Sequence, residues 1–263
     1  MPFLKINGSD IYYSDQGTGQ PVVMLHGRSA SSALWDWHIQ HLKKDYRVIA
    51  YDSVNHGFSN NSPVGEVEPD RVVELDQLLE ALEIERPVLI GQSMGSMTSL
   101  RWATQNPSRA HAVIAAGMGW PLPPLGSVSP APLRDGLWLE SRNFNAAWEA
   151  EHQDFIAQYS RMRSTATAIE YSLRPRQMFQ GDFFDEGFRD KLAAIQSPVS
   201  LFCGQDDFFI EPARSLATII PGARLVEMPN AHHNAYVQCL DEFLALVRET
   251  LSAVGIEPAG STR

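Results

Sequence analysis

The sequence predicts an α/β fold with a doubly wound, mostly parallel sheet. Short runs made up only of apolar residues, such as Pro21–Leu25 and residues 112–115, recur along the chain. Such runs are typical of strands buried on both faces of a parallel sheet. Segments with apolar residues at helical spacing separate them, as right-handed strand–helix–strand crossovers require. The 263 residues, 44% of them hydrophobic and 20% charged, are enough for the core of one such domain.

The predicted elements follow one another in a regular order. At the start, Asn7-Gly8 supplies the positive φ angles of a tight turn between two strand-like runs, which predicts a hairpin. Strands are then predicted at residues 21–25, 47–51, 88–90, 112–115, 198–202 and 224–228, and helices at about 32–44, 70–82, 94–106, 211–219 and 235–251.

The strand–helix alternation is interrupted between residues 121 and 196. Five prolines fall within 12 residues at the start of this segment, and aromatic-rich, helix-like stretches without a strand pattern follow. We therefore predict a core domain of residues 1–120 and 197–263, with an inserted helical segment at 121–196.

The pentapeptide Gly91-Gln92-Ser93-Met94-Gly95 is the candidate nucleophile turn, because it follows the apolar run at 88–90 and opens a helix. A sharp strand-to-helix turn lifts a serine clear of its backbone, and small residues at 91 and 95 let the strand and helix approach closely. The helix start also directs N–H groups and its positive dipole end at an anion beside the serine. A glycine-rich structural turn is the alternative interpretation.

A serine nucleophile needs a histidine base and an acid that orients the histidine. Of the eight histidines, His232 and His233 follow the last strand, at a carboxyl end of the sheet. Asp206 and Asp207 occupy the same kind of position after the strand at 198–202. The residues alone do not decide between either pair of neighbours. A metal site built from these four side chains is a further alternative, which the lack of ligand spacing on one element disfavours.

Acyl transfer also needs an oxyanion hole. The backbone N–H of Met94, the residue after the serine, is one predicted donor. The loop after the strand at 21–25 is expected to supply the second, because Gly27 lets that backbone come close and Arg28 then offers its N–H. The Arg28 side chain is expected either to bind a substrate carboxylate or, as we favour, to pair with an acid on the surface.

Composition excludes several function classes. The formal net charge is −10 and the lysines and arginines are scattered, so we expect no nucleic-acid partner and no binding to anionic membranes. No apolar run reaches about 18 residues and the N-terminus carries no secretory pattern, so we expect a cytoplasmic protein. The two cysteines are predicted to be reduced and mostly buried.

With these residues in place, the chain resembles the α/β-hydrolase family over essentially its whole length. The matching pieces, in chain order, are His26-Gly27, residues 52–59, the turn at 91–95, residues 204–207 and residues 229–233. The resemblance implies an eight-stranded sheet and makes the inserted segment at 121–196 a helical cap. It also implies that the acid is Asp207, three residues after the glycine, and that the base is His233.

The chain departs from the family pattern at three positions. Asn55 and Ser96 stand where the family often has glycine, and His232 stands where glycine is common beside the base. The first two departures concern structure more than chemistry, whereas the third bears on which histidine is the base. The resemblance implies a structural role for His56.

The predicted activity is hydrolysis of a small, mostly apolar ester or lactone, with Ser93 as nucleophile, His233 as base and Asp207 as its partner. The chain is similar to small-molecule esterases and lactonases, including acyl-homoserine lactone hydrolases. This resemblance implies that no cofactor and no metal is needed. Trp120 and Trp138 are the candidate substrate contacts, and the sequence leaves the oligomeric state open.

Several alternatives share the same fold. Carbon–carbon bond hydrolases of ring-cleavage pathways, cofactor-free perhydrolases and a few lyases have the same triad and cap. The first group often carries tryptophan after the catalytic histidine, where this chain has Asn234. A ligand-binding protein on this fold would often lack a triad member, and all three are present here. Dehalogenases and epoxide hydrolases of the fold need aspartate at the position of Ser93.

Overall fold

The computed structural model describes residues 2–61, 70–120, 143–162 and 187–259. The strands in this part of the chain are β1 (Phe3–Ile6), β2 (Ser9–Gln16), β3 (Pro21–Leu25), β4 (Arg47–Tyr51), β5 (Val88–Gln92), β6 (Ala112–Ala116), β7 (Val199–Gly204) and β8 (Arg224–Met228). The helices are α1 (Asp36–Leu42), α2 (Arg71–Ala81), α3 (Met94–Gln105), α4 (Ala146–Glu151), α5 (153–162), α6 (Phe188–Ala193), α7 (Ile210–Ile219), α8 (Ala235–Gln238) and α9 (Leu240–Ala253).

The eight strands form a mostly parallel sheet in the order β1-β2-β4-β3-β5-β6-β7-β8, which confirms the predicted fold class. Strand β2 pairs antiparallel with β1 and β4, and all other neighbours are parallel. The turn of the first hairpin has Asn7 at φ 48° and Gly8 at φ 79°, the left-handed pair that a two-residue turn needs. The carboxyl ends of β3 to β8 therefore meet at one edge of the sheet.

Helices cover both faces of the sheet, and β3 illustrates how its residues divide between them. Val22 and Met24 are buried in a cluster with α1 and α9, whereas Val23 and Leu25 are buried in a cluster with α2, α3, α6 and α7. This alternation follows from the period of two in a strand. A strand packed on both faces must be apolar throughout, which is the pattern that the sequence carries.

Two predicted helices are each divided in the structure. The segment predicted as a helix at 32–44 begins with a 3-10 turn at Ser32–Trp35, capped by the Ser31 hydroxyl, before α1 starts. The segment predicted at 235–251 breaks at Cys239, whose φ of −118° and ψ of 58° are not helical. The break lets Tyr236 of α8 and Phe243 of α9 both pack their rings against the Trp35 ring.

The inserted segment is described at residues 143–162 and from residue 187 onward. Helix α6 packs into the core, because Phe188 and Leu192 are buried in the same cluster as α3 and α7. The boundary at residue 196 stays a prediction. Within the four described ranges, no helix combines the length and the apolar composition needed to cross a bilayer.

His38 of α1 is a buried, neutral histidine in this core. Its Nε2–H donates to the Tyr236 carbonyl oxygen at 2.9 Å, and its Nδ1 is buried without a hydrogen-bond partner among the described residues. Burial lowers the pKa of His38 to about 4, from an ordinary value of 6.5. The neutral form is therefore favoured by folding, and a proton on Nδ1 would be buried without an acceptor.

This burial makes folding stability depend on pH. The unfolded chain takes up a proton at His38 below about pH 6.5 and the folded chain does not, so stability is full above that value and falls toward pH 4. Between about pH 7 and pH 5, we expect this group to remove about 2 kcal/mol of unfolding free energy. In urea unfolding at both pH values, His38→Gln is expected to lose less stability on acidification than the wild type. The exposed His41→Gln serves as the control, and equal losses in all three proteins would contradict this expectation.

Candidate active site

Ser93 lies in the turn between β5 and α3, in a backbone conformation with φ 50° and ψ −111°. This region is unfavourable for a residue with a Cβ and is found at functional turns. Neighbouring glycines make the turn possible, since a Cβ at Gly91 would lie 2.4 Å from the Gly95 carbonyl carbon, and one at Gly95 would lie 2.2 Å from the Leu25 carbonyl oxygen. The Ser93 N–H donates to the Ala116 carbonyl at the end of β6, at 2.8 Å. The strained, half-buried serine is thus held at the carboxyl edge of the sheet.

Met94 is the first residue of α3, where helical N–H groups have no partner within the helix. The Met94 N–H and the helix dipole therefore both favour negative charge next to Ser93. The loop after β3 lies next to the serine turn, because a Cβ at Gly95 would lie 2.8 Å from the His26 carbonyl oxygen. A Cβ at Gly27 in that loop would lie 1.8 Å from Oε1 of Gln92, so a larger residue at 27 would have to displace the Gln92 side chain.

Two buried histidines hold the loop after β3. His26 Nδ1–H donates to the Gly27 carbonyl at 2.7 Å, and His26 Nε2 accepts the Ser53 N–H at 3.1 Å. His56 Nε2 accepts the Ser29 N–H at 3.3 Å, and the two imidazole rings lie 4.8 Å apart. The backbone is therefore fixed on both sides of Arg28. That the Arg28 N–H points to an oxyanion stays a prediction.

The buried carboxylate of Asp52 completes this support. Its Oδ1 accepts the Ser32 N–H at 2.7 Å and its Oδ2 accepts the Phe58 N–H at 2.8 Å, which ties the loop after β3 to the loop after β4. Burial raises the pKa of the Asp52 carboxyl, and the two backbone donors oppose that shift. Gly57 has φ +52°, and a Cβ there would lie 1.9 Å from Oδ2 of Asp52. Position 57 in the loop after β4 therefore favours glycine.

Asp207 and His233 form a hydrogen-bonded pair at the ends of β7 and β8. His233 Nδ1 lies 3.2 Å from Oδ1 and 3.1 Å from Oδ2 of Asp207, and Oδ1 also accepts the Phe209 N–H at 3.0 Å. The two loops are close-packed, since a Cβ at Gly204 would lie 2.1 Å from the Ala231 carbonyl oxygen. An imidazole that donates Nδ1–H to a carboxylate presents Nε2 as a proton acceptor.

The two members of each neighbouring pair, Asp206 with Asp207 and His232 with His233, have different surroundings. Asp206 is exposed, whereas Asp207 is 3% exposed and in contact with His233. His232 is half-buried, its backbone N–H donates to Gln238 Oε1, and its Nδ1 has no hydrogen-bond partner among the described residues. Over the same residues, no group of three or more His, Cys, Asp or Glu side chains has the geometry to hold a metal ion.

The surroundings of Gly117 show where His233 lies relative to the serine turn. It follows Ala116, whose carbonyl accepts the Ser93 N–H, and a Cβ at Gly117 would lie 3.2 Å from His233 Nδ1 and 2.8 Å from the His233 carbonyl oxygen. The imidazole therefore lies over the end of β6, the strand that pairs with the serine-bearing β5. Ser93 and His233 share one edge of the sheet.

Replacement of Gly117 by alanine is expected to displace His233, so any turnover that depends on this imidazole should fall at least tenfold, measured with p-nitrophenyl esters. The φ of +58° adds a stability loss of about 1 kcal/mol. Gly255→Ala separates the two effects, because Gly255 has φ +76° and no atom lies within 4 Å of the position that its new methyl group would take. It should lose similar stability in thermal unfolding and keep full activity. Equal activity of the two variants would contradict the placement of the histidine.

Sequence reasoning missed two neighbours of the Asp207–His233 pair. The Phe208 ring stacks on the imidazole with centroids 4.7 Å apart and an interplanar angle of 26°. The Cys203 thiol donates to Asp207 Oδ2 at 3.6 Å, and burial beside this carboxylate raises the pKa of the thiol. The signals were present as Phe208 next to Asp207 and as a cysteine four residues before it, but neither type is a usual partner of a catalytic acid.

The two predicted substrate contacts have different outcomes. Trp120 is half-buried, its backbone N–H donates to the Pro212 carbonyl at 3.1 Å, and its ring packs against Phe188 with centroids 6.5 Å apart. Its role toward a substrate stays a prediction. Trp138 lies outside the described residues.

Residues 143–162, which we call the α4–α5 segment, lie against the loops that carry the site. Met162 Sδ accepts the Ser31 hydroxyl at 3.0 Å, beside the loop after β3. At the loop after β8, the Asn234 N–H donates to the Asn143 carbonyl at 2.9 Å, and Asn234 Nδ2 donates to the Tyr159 hydroxyl at 3.2 Å. Helix α5 thus spans from the predicted oxyanion loop to the histidine loop.

Comparison with known proteins identifies the family of this chain. The profile described as the alpha/beta hydrolase family matches residues 22–246. The putative carbamate hydrolase RutD of Klebsiella pneumoniae is 28% identical over 264 residues, covering 90% of this chain and 93% of that protein. A haloalkane dehalogenase of Agrobacterium fabrum is 31% identical over 106 residues, covering 40% of this chain and 35% of that protein. The chain therefore matches about a third of the length of that relative.

Solved structures are similar over nearly the whole chain. A thermophilic esterase from Thermogutta terrifontis superposes with a TM-score of 0.82 at 22% identity, covering 97% of this chain and 99% of that chain. Est816, described as an N-acyl homoserine lactone degrading enzyme, superposes with a TM-score of 0.76 at 24% identity, covering 94% and 99%. At these identities the likeness establishes the fold.

Proposed function

Since the chain belongs to the alpha/beta hydrolase family, we propose that it is a serine hydrolase that cleaves a small, mostly apolar carboxylic ester or lactone through an acyl-enzyme. The observation that carries the proposal is the Asp207–His233 hydrogen bond, 3.1 Å long, at the sheet edge where Ser93 occupies a strained strand-to-helix turn. A structural turn alone would not need a buried acid–imidazole pair beside it.

In the proposed first step, Ser93 Oγ attacks the carbonyl carbon while His233 Nε2 takes the hydroxyl proton. Asp207 accepts Nδ1–H, which selects the tautomer with a free Nε2 lone pair and stabilises the imidazolium that forms. The stacked Phe208 ring adds to this stabilisation, because the face of an aromatic ring attracts a cation. The tetrahedral oxyanion is held by the N–H groups of Met94 and Arg28, each worth roughly 10²–10³ in rate.

Collapse of the intermediate expels the alcohol, which takes the proton from His233 and leaves the acyl group on Ser93. In a lactone, the alcohol remains attached to the acyl group. Water then enters, His233 removes its proton, and the oxygen attacks the acyl carbon. The bond from this carbon to Ser93 Oγ breaks as the imidazolium returns the proton to Oγ, which regenerates Ser93 and releases the acid. Apart from the water, each step uses only groups of the protein. Every proton moves between the His233 imidazole and an oxygen that is reacting.

The surroundings support an apolar substrate. Phe208 is half-buried beside the imidazole. The α4–α5 segment, which contacts the loop after β8, carries several aromatic rings that contact one another and Trp37 of α1, namely Phe144, Trp148, Phe155 and Tyr159. We propose that this segment is part of the cap over the site. The esterase and the N-acyl homoserine lactone degrading enzyme of similar fold support an ester or lactone as the group that is cleaved.

The proposal is tested by stopped-flow hydrolysis of p-nitrophenyl esters of increasing acyl length, beside lactones, carbamates and ring-cleavage dienones. We expect a burst of p-nitrophenol equal to the enzyme concentration and the highest kcat/KM among short esters or lactones. Cleavage of the dienones alone would select carbon–carbon bond hydrolysis instead. Absence of turnover on every substrate would overturn the proposal in favour of a binding protein.

A further inference from the structure

Three buried polar side chains form a chain from the serine turn to helix α5. Gln92 Nε2 donates to Asn234 Oδ1 at 3.3 Å, and Asn234 Nδ2 donates to the Tyr159 hydroxyl at 3.2 Å. The exposed fractions of Gln92, Asn234 and Tyr159 are 3%, 1% and 7%. In this dry environment each amide group needs its partner, because an unmade hydrogen bond is not replaced by water.

The three hydrogen-bonded side chains lie next to the candidate catalytic residues. Gln92 directly precedes Ser93, and Asn234 directly follows His233. Gln92 also lies against the loop after β3, since its Oε1 is 1.8 Å from where a Cβ of Gly27 would be. One polar chain therefore contacts the turn of the proposed nucleophile, the loop of the proposed base and the predicted oxyanion loop.

Two sets of contacts bear on the placement of His233. Asp207 contacts the imidazole directly at Nδ1, and the contacts of Asn234 fix the backbone that immediately follows the histidine. The Asn234 N–H also donates to the Asn143 carbonyl, which anchors the same residue to the start of the α4–α5 segment. Loss of the Tyr159 contact would leave Asn234 Nδ2 buried without this acceptor and would allow the loop to shift.

We propose that Asn234 and Tyr159 are positioning residues, which couple the placement of helix α5 to the alignment of His233 with Ser93. The inference rests on the proposed serine hydrolase function. It implies that the cap has a second role besides enclosing substrate. Proton transfer between the serine and the histidine requires that the Tyr159 hydroxyl keep its contact with Asn234. A displacement of about 1 Å in such a site is enough to lower rates strongly.

The test compares Tyr159→Phe, Asn234→Ala and the double variant with the wild type. For each protein we would measure kcat and KM on the best ester, the rate of Ser93 phosphonylation by a fluorophosphonate, and the thermal midpoint. We expect kcat and the phosphonylation rate to fall together by about tenfold in each single variant, with KM within about twofold. The double variant is expected to resemble Asn234→Ala, because both substitutions interrupt the same row of hydrogen bonds.

Tyr12→Phe is the matched control, because Tyr12 lies on β2 and its ring contacts Phe3 and Phe58 instead of the site. It should keep wild-type kcat and labelling. If Asn234→Ala does not fold, Gln92→Met interrupts the same chain from its other end, and Tyr159→Phe removes only one oxygen.

The outcomes separate the inference from the function on which it rests. Wild-type labelling and kcat in Tyr159→Phe would overturn the positioning role, as would a lower thermal midpoint with unchanged kinetics. Losses that multiply in the double variant would show that the two residues act separately and would also overturn it. If the wild-type protein itself is neither labelled at Ser93 nor active on esters, the proposed function fails first.

Discussion

Replacement of Ser93 by alanine is expected to lower kcat for ester hydrolysis by roughly 10⁵- to 10⁶-fold, because the proposed acyl-enzyme cannot form without the hydroxyl. The fold should be retained, since a smaller oxygen-free side chain does not add volume to the turn. The measurement is steady-state hydrolysis of the best p-nitrophenyl ester, with circular dichroism to verify folding.

Ser99→Ala provides the matched control for this substitution. Ser99 is a buried serine of the same helix α3, and its hydroxyl donates to the Gly95 carbonyl of that helix at 2.9 Å. Its replacement should change kcat by less than about twofold, as expected away from the reacting atoms. Comparable activity of Ser93→Ala and the wild type would eliminate the nucleophile assignment.

The second large effect is expected at Asp207. Asp207→Asn is expected to lower kcat by about 10⁴-fold, because an amide no longer selects the Nδ1–H tautomer or stabilises the imidazolium. Asp206→Asn is the control, since Asp206 is exposed one residue away. We expect Asp206→Asn to keep wild-type activity in the same ester assay.

The histidines repeat this comparison. His233→Ala should lose activity to the level of Ser93→Ala, whereas His232→Ala should keep a measurable kcat because the Asp207 contact belongs to His233. A larger loss at Asp206 or His232 than at its neighbour would mean that the loops after β7 and β8 present the other member of each pair to the serine.

Much of the fold follows from local pattern in the sequence. The apolar runs predicted β3 to β7 because a doubly covered strand is apolar on both faces, whereas β8 carries Arg224 and Glu227 and is only partly buried. Asn7-Gly8 predicted the first hairpin because few residues accept positive φ. The division at Cys239 was not predicted, because apolar spacing continues across it and the break is set by ring packing of Tyr236 and Phe243 on Trp35. Tertiary contacts decided this boundary.

The candidate site was predictable where chemistry constrains residue type. Ser93 has a local context of strand, turn and helix, so the sequence alone made it the candidate nucleophile. Asp207 and His233 are 26 residues apart, and the residues alone did not choose within either neighbouring pair. The family resemblance favoured Asp207 and His233, and these are the two side chains that contact each other in the structure. The polar chain joins Gln92 to Asn234 across 142 positions, and nothing in the local sequence of either residue indicates that contact.

The most direct measurement is the location of the fluorophosphonate adduct in the intact protein by peptide mass spectrometry. If Ser93, Asp207 and His233 act as one catalytic unit, a single phosphonyl group should be found on Ser93, and His233→Ala should not be labelled. An adduct on a different residue, or ester hydrolysis that continues in a protein with no adduct at Ser93, would contradict the assignment of this serine as the nucleophile.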